Sequence, residues 1–91
     1  MQIVWDDAKR AANLAKHGLD FADLNFAFFE TATIIFARKP RFMAIGMHSG
    51  KLVIVVIFSA LGREGVSIIS MRPASVKERK LYDGHKTAEK L

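Results

Sequence analysis

From Leu52 to Phe58 the chain runs Leu-Val-Ile-Val-Val-Ile-Phe, apolar at every position and mostly β-branched. Successive side chains of a strand point to opposite faces, so such a run is stable only where both faces of a sheet are covered. It is far shorter than the ~20 residues needed to span a bilayer. This segment must therefore be the centre of a sheet, with the rest of the chain supplying material for both sides. Ninety-one residues suffice for one such core, and 51% hydrophobic with 25% charged residues is ordinary globular usage.

The flanks show where the covering material comes from. Ile3-Val4-Trp5 reads as a short edge strand. Asp6 is placed to cap a helix that ends at Gly18, with Ala8, Ala11, Ala12 and Ala15 repeating at helical spacing beside Leu14. That small-residue face predicts close packing. Asp20 is expected to cap a second helix, carrying Phe21, Leu24 and Phe28 on one line and Ala22, Phe26 and Phe29 on another.

At Thr31 the period changes from helical to two. Residues 31–37 and 42–47 read as strands separated by Lys39-Pro40, and Ser49-Gly50 as a hairpin turn before the apolar run. Leu61 to Gly65 forms another turn, and Val66 to Met71 the last strand. Ser75 and Glu78 have capping-box spacing, which starts a helix near Val76 that Asp83-Gly84 should stop after Tyr82. Residues 1–84 thus form a single domain and 85–91 a polar tail. The expected fold is α+β: two N-terminal helices and a C-terminal helix packed on an antiparallel β-meander.

Charge and composition narrow the function. Fourteen Lys and Arg face nine Asp and Glu, a net +5. Residues 1–30 hold three bases against five acids, whereas residues 31–91 hold eleven against four, so the basic character is concentrated in the second part. Such asymmetry favours polyanionic or acidic partners. With no cysteine there is no disulfide, no Cys-based metal site and no thiol nucleophile. His17, His48 and His85 have no metal-ligand spacing, so no metal and no cofactor is expected. No Gly-x-Ser-x-Gly elbow or Walker loop is present, and Gly46 marks a bulge or a close approach. The N-terminus lacks the pattern of a signal peptide, so a cytoplasmic location is expected.

Three clusters could carry chemistry. Lys16-His17-Gly18 ends the first helix: one reading is a charge-complemented C-cap, the other a phosphate-binding or acid–base pair. Arg38-Lys39-Pro40-Arg41 is either a solvated turn or a phosphate-holding patch. Ser70 and Arg72 lie on one side of a strand, and Glu78 and Tyr82 one turn apart on the following helix. Those last residues either converge on a site or serve structure, Glu78 as a cap, Arg72 through its aliphatic stem and Tyr82 as a core anchor.

Trp5-Asp6, Lys9, Asn13, Lys16-His17-Gly18, Phe21, Arg41-Phe42, Ile45-Gly46 and Ile68-Ile69-Ser70-x-Arg72-x-Ala74 with Glu78 and Tyr82 together resemble the BrnT toxin family. The likeness runs in order over residues 4–82. It implies a RelE-like fold and a ribonuclease toxin of a type II toxin–antitoxin pair. It also implies a BrnA antitoxin that binds DNA, so that the toxin meets DNA only through its partner. Family members commonly carry Arg where this chain has Ser67 and Pro73, and often an acid in the loop where Arg38 and Lys39 stand.

The activity so implied needs no metal: the RNA 2′-OH attacks the neighbouring phosphorus, and the protein stabilises charge and protonates the leaving 5′-oxygen. In that scheme Lys16 and Arg72 stabilise charge and His17, with a reference pKa near neutrality, moves the proton. Glu78 orients a base or accepts a proton, and Tyr82 stacks on a base or holds phosphate. Arg38, Lys39, Arg41 and Ser70 are the expected RNA contacts. The rival reading is a non-catalytic, basic binding protein that docks an acidic partner or nucleic acid.

Overall fold

In the computed structural model, which describes residues 2–90 and the side chains of residues 2–84, the apolar run lies in the middle strand of a five-stranded sheet. The chain order is β1 (Gln2–Trp5), α1 (Asp7–His17), a 3₁₀ turn (Phe21–Asp23), α2 (Phe26–Thr31) and β2 (Thr33–Arg38), then β3 (Arg41–His48), β4 (Leu52–Leu61), β5 (Gly65–Pro73) and α3 (Val76–Lys90). In space the strands run β1-β5-β4-β3-β2, so β4 is central as its sequence requires. Strands β2 to β5 form an antiparallel meander.

Both faces of β4 are buried, against different partners. Ile54, Val56 and Phe58 pack with Phe21, Leu24, Phe28 and Met71. On the opposite face Val55 packs with Ile45 and with Tyr82 of α3. Each such side chain contributes about 1.5–3 kcal/mol when fully buried. The single C-terminal helix is therefore what makes the second face of β4 tenable.

Several expectations need correction. The sheet is not wholly antiparallel: β1 pairs parallel to β5, with Gln2 opposite Gly65 and Trp5 opposite Ile68. The expected second helix is two pieces. Asp20 does cap, its Oδ1 accepting from the Ala22 amide at 3.0 Å, but only a 3₁₀ turn follows. Leu24 is extended, and Asn25 starts α2 by accepting from the Phe28 amide at 3.0 Å. Thr31 belongs to that helix, so β2 begins at Thr33. The α3 helix continues through Asp83-Gly84 to Lys90 rather than stopping there. The tail proposed for 85–91 is thus helical in backbone as far as Lys90, while its side chains, that of His85 included, lie outside the described residues.

The alanine face of α1 is also reversed. Ala8, Ala11, Ala12 and Ala15 are exposed, as is Leu14, and the helix rests on the sheet through Asn13. The reason lies in the short β1 strand. It stops opposite Ile68, which leaves the next stretch of the β5 edge without a strand partner. Asn13 fills that place, accepting from the Met71 amide at 3.0 Å and donating to the Met71 carbonyl at 2.8 Å. A buried backbone pair left without partners costs about 1–3 kcal/mol, so a polar residue outcompetes alanine here.

Other details match expectation. Ser49 and Gly50 both have positive φ, 54° and 67°, as a tight hairpin turn demands. Gly46 is a close approach: a Cβ there would lie 2.9 Å from Cε1 of Phe28.

Candidate functional site

Helix α1 positions the first cluster. Asp6 caps it by accepting from the Lys9 amide at 3.1 Å, and Gly18 ends it at φ 69° with its amide bonded to the Leu14 carbonyl. Lys16 and His17 occupy the last turn, where the helix dipole favours positive charge. The helix is held by the Asn13 clamp and by Arg10, which grips Asp20 through Nε to Oδ1 at 2.7 Å and Nη2 to Oδ2 at 3.0 Å. That guanidinium, followed by the Ala22 amide, holds the Asp20 carboxyl down at about 2. Arg10 also lies over Trp5, 5.8 Å from the ring centroid, so one side chain ties β1, α1 and the 3₁₀ turn together.

With α1 fixed this way, Lys9, Lys16, His17 and Ser70 line one open groove of about 220 Å³ beside β5. Asn13 forms part of its wall. Lys9, Asn13, Lys16 and His17 are spaced as neighbours on one helical face, which is why a single groove collects them. Sequence reasoning gives Lys9 and Asn13 no role, although both stand in the pattern that carries the family resemblance. The signal that would have assigned them was the polar stripe 9-13-16-17, which the alanine repeat obscured. Among the described residues no ion pair engages Lys9 or Lys16, so their charges are available to a ligand.

The second cluster forms, but as a structural clamp. Arg72 Nη1 and Nη2 each donate to a Glu78 carboxylate oxygen at 2.8 Å, and Nη1 also reaches the Pro73 carbonyl at 3.3 Å. The capping box is complete: the Glu78 amide donates to Ser75 Oγ at 3.2 Å and the Ser75 amide to Glu78 Oε1 at 2.9 Å. Arg72 is the main reason the Glu78 carboxyl sits at about 2, well below its ordinary value. At that value Glu78 is a weak proton acceptor. A guanidinium has five N–H donors, so Arg72 keeps some beyond those used here. Tyr82 is only 3% exposed and lies among Ile45 and Val55, away from any surface on which a base could stack.

Register relates these groups across the sheet. Ser70 stands opposite Ile57 and Arg72 opposite Val55, so both share the α3 face of β5. On the same face Ser67, Ser59 and Arg41 form a row across β5, β4 and β3. Arg41 joins Arg38 and Lys39 around a pocket of about 290 Å³ at the β2–β3 turn. This basic loop lies three strands from the groove, roughly 14 Å at ~4.8 Å per strand. The row of small polar residues connects the two.

The sequence profile of a family described as the ribonuclease toxin BrnT of type II toxin–antitoxin systems matches residues 5–78. Among solved structures, that of the Brucella abortus ribonuclease toxin BrnT is similar, with 53% sequence identity and a TM-score of 0.79. The match covers 82% of this chain and 97% of that one. Comparison with curated proteins gives no match. Among the described residues no helix is long and apolar enough to cross a membrane.

Proposed function

The chain belongs to the BrnT family of ribonuclease toxins of type II toxin–antitoxin systems, and from that premise we propose that the groove between α1 and β5 is where RNA is cut. The observation that carries this is the gathering of Lys9, Lys16, His17 and Ser70 around one groove. Two ammonium groups that make no ion pair among the described residues attract a phosphate there, and the end of α1 holds an imidazole beside it.

The chemistry is an internal transfer. The RNA 2′-hydroxyl gives up its proton to solvent as its oxygen bonds to the adjacent phosphorus, the P–O5′ bond breaks, and the products are a 2′,3′-cyclic phosphate and a 5′-hydroxyl. Lys16 stabilises the negative charge that builds on the phosphoryl oxygens. His17 transfers the proton that the leaving 5′-oxygen needs. Ser70 orients the phosphate through its hydroxyl. Arg72 contributes from one pleat farther along β5 with its remaining donors, and Glu78 sets the direction of that guanidinium. Tyr82 acts through the core by seating α3. Arg38, Lys39 and Arg41 hold the continuing backbone after it crosses the Ser67–Ser59 row.

The test is digestion of a single-stranded RNA by the purified protein in EDTA, with the ends analysed. Cyclic-phosphate ends from wild type, and at least a hundredfold slower cutting by Lys16→Ala and His17→Ala, are expected. Wild-type rates in both variants would refute the site. Two observations favour a second reading, a non-catalytic protein that only binds: Arg72 is neutralised by Glu78, and Tyr82 is buried. RNA binding without cutting would select it. On the family reading the toxin works in the cytoplasm, adopts a RelE-like fold and is held in check by a BrnA-like antitoxin. Co-expression with a neighbouring small gene, scored by relief of growth arrest, tests the last point.

A further inference from the structure

The strand β2 ends the sheet, so one side of its backbone has no strand partner among the described residues. Edge strands are normally blunted by charge, bulges or covering elements, because a bare edge recruits another strand. This one has a bulge and a charge only at its end, between Phe36 and Arg38, and is apolar before them. Phe36 is 61% exposed and Ile34 47%, and both point to the face opposite α3, since they pair with Phe42 and Ala44. Phe36 is also the outer end of a row of rings. It meets Phe42 edge-on at 5.7 Å, Phe42 stacks on Phe58 at 5.7 Å, and Phe58 meets Phe29 at 5.5 Å. The exposed ring is therefore held in place by the core and presented outward.

At the end of this edge stand Arg38, Lys39 and Arg41, none of them in an ion pair among the described residues. Arg38 is opposite Arg41, and Arg41 opposite Ser59, which places both arginines on the other face from Ile34 and Phe36. A strand added here would meet Ile34 and Phe36 on one face, and on the other Thr33 and Ile35 followed by the positive charge of Arg38 at the strand's end. Alternation of that kind is what an extended segment delivers with period two.

We propose that the free edge of β2 is a docking site for an extended segment of a partner protein in which apolar and acidic residues alternate. The segment adds as a sixth strand, its apolar side chains covering Ile34 and Phe36 and an acid near the β2–β3 turn facing Arg38, with the charge of Arg41 one strand farther in. Main-chain hydrogen bonds supply affinity and the two faces supply specificity. The net charge of +5 favours such an acidic partner over a second copy of this chain, which would bring the same positive charge to the contact.

A fluorescein-labelled ten-residue peptide of alternating Val and Glu tests this by fluorescence anisotropy, with a Val and Lys peptide as control. Peptide binding is read without RNA, so it stands or falls separately from the cleavage reading. The Val–Glu peptide should bind saturably and the Val–Lys peptide at least tenfold more weakly. Phe36→Lys should weaken the Val–Glu peptide at least tenfold although it adds a positive charge, which separates docking from simple charge attraction. Lys39→Glu, at a fully solvated turn, should weaken it as well, and hydrogen exchange of β2 amides should slow when the peptide is bound. No saturable binding, or binding unchanged in Phe36→Lys, would overturn the proposal. So would a dimer in solution that Phe36→Lys dissociates, or protection of β2 by a ten-nucleotide oligouridylate but not by the peptide.

Discussion

Asn13 is the residue through which α1 meets the sheet, and its amide does what a strand would otherwise do for Met71. Replacing it by Leu leaves the Met71 amide and carbonyl buried without partners. The expected loss is about 1–3 kcal/mol, read as a lower urea midpoint. The same change loosens the face that carries Lys16 and His17, so RNA cutting should fall more than stability alone explains. Lys16→Ala provides the contrast. Its side chain is exposed, so the melting temperature should stay within about 2 °C while cutting falls by ~10²–10³. At this scale the sequence was a partial guide. The place of Lys16 and His17 at a helix end was legible from Gly18, whereas the pairing of Arg72 with Glu78 and the burial of Tyr82 depended on tertiary contacts.

Between elements, α2 approaches β3 so closely that Gly46 has no room for a methyl group beside the Phe28 ring. Gly46→Ala should cost about 1–3 kcal/mol through displacement of that ring, measured by urea denaturation. The Arg72–Glu78 pair at the start of α3 and the Arg10–Asp20 pair have a pH signature. Glu78 and Asp20 both have folded pKa values of about 2, below their ordinary 4.5 and 3.8. A lowered folded pKa stabilises the fold above the ordinary value and loses that effect as the carboxyl protonates. Stability should therefore be flat near neutrality and fall as pH drops from about 4.5 towards 2. Glu78→Gln should remove part of that acid slope, as seen in urea midpoints across the range. β2 and β3 were legible from their period of two, β4 from its unbroken apolar run and the hairpin from Ser49-Gly50. The broken second helix was not, because Asp20 and Asn25 both have the chemistry of a cap and only packing of Phe21, Leu24 and Phe28 decides where the helix starts.

For the whole molecule, two basic regions lie at opposite sides of one sheet face, joined by the Ser67–Ser59–Arg41 row. If RNA spans both, binding should weaken with salt, log K falling by about 0.7 per phosphate contacted for each unit of log salt. Engagement of the five cations Lys9, Lys16, Arg38, Lys39 and Arg41 predicts a slope of about −3.5, and Lys39→Ala should reduce its magnitude by roughly 0.7, measured by filter binding. A slope near −1 would confine RNA to a single region. By itself the sequence determined the sheet and its centre, since a strand apolar on both faces has nowhere else to go. It also determined the caps at Asp6, Gly18 and Ser75–Glu78, the turns and the concentration of charge after residue 31, all of which are set by neighbours a few positions away. Only the tertiary structure decided that β1 runs parallel to β5 and stops short, and that Asn13 and not alanine meets the exposed edge. It alone decided that Lys9 joins Lys16 and His17 in a groove with Ser70. Those contacts join residues as many as 58 positions apart. They arise because unpaired backbone must find partners wherever the packed chain brings them, a constraint no local pattern records.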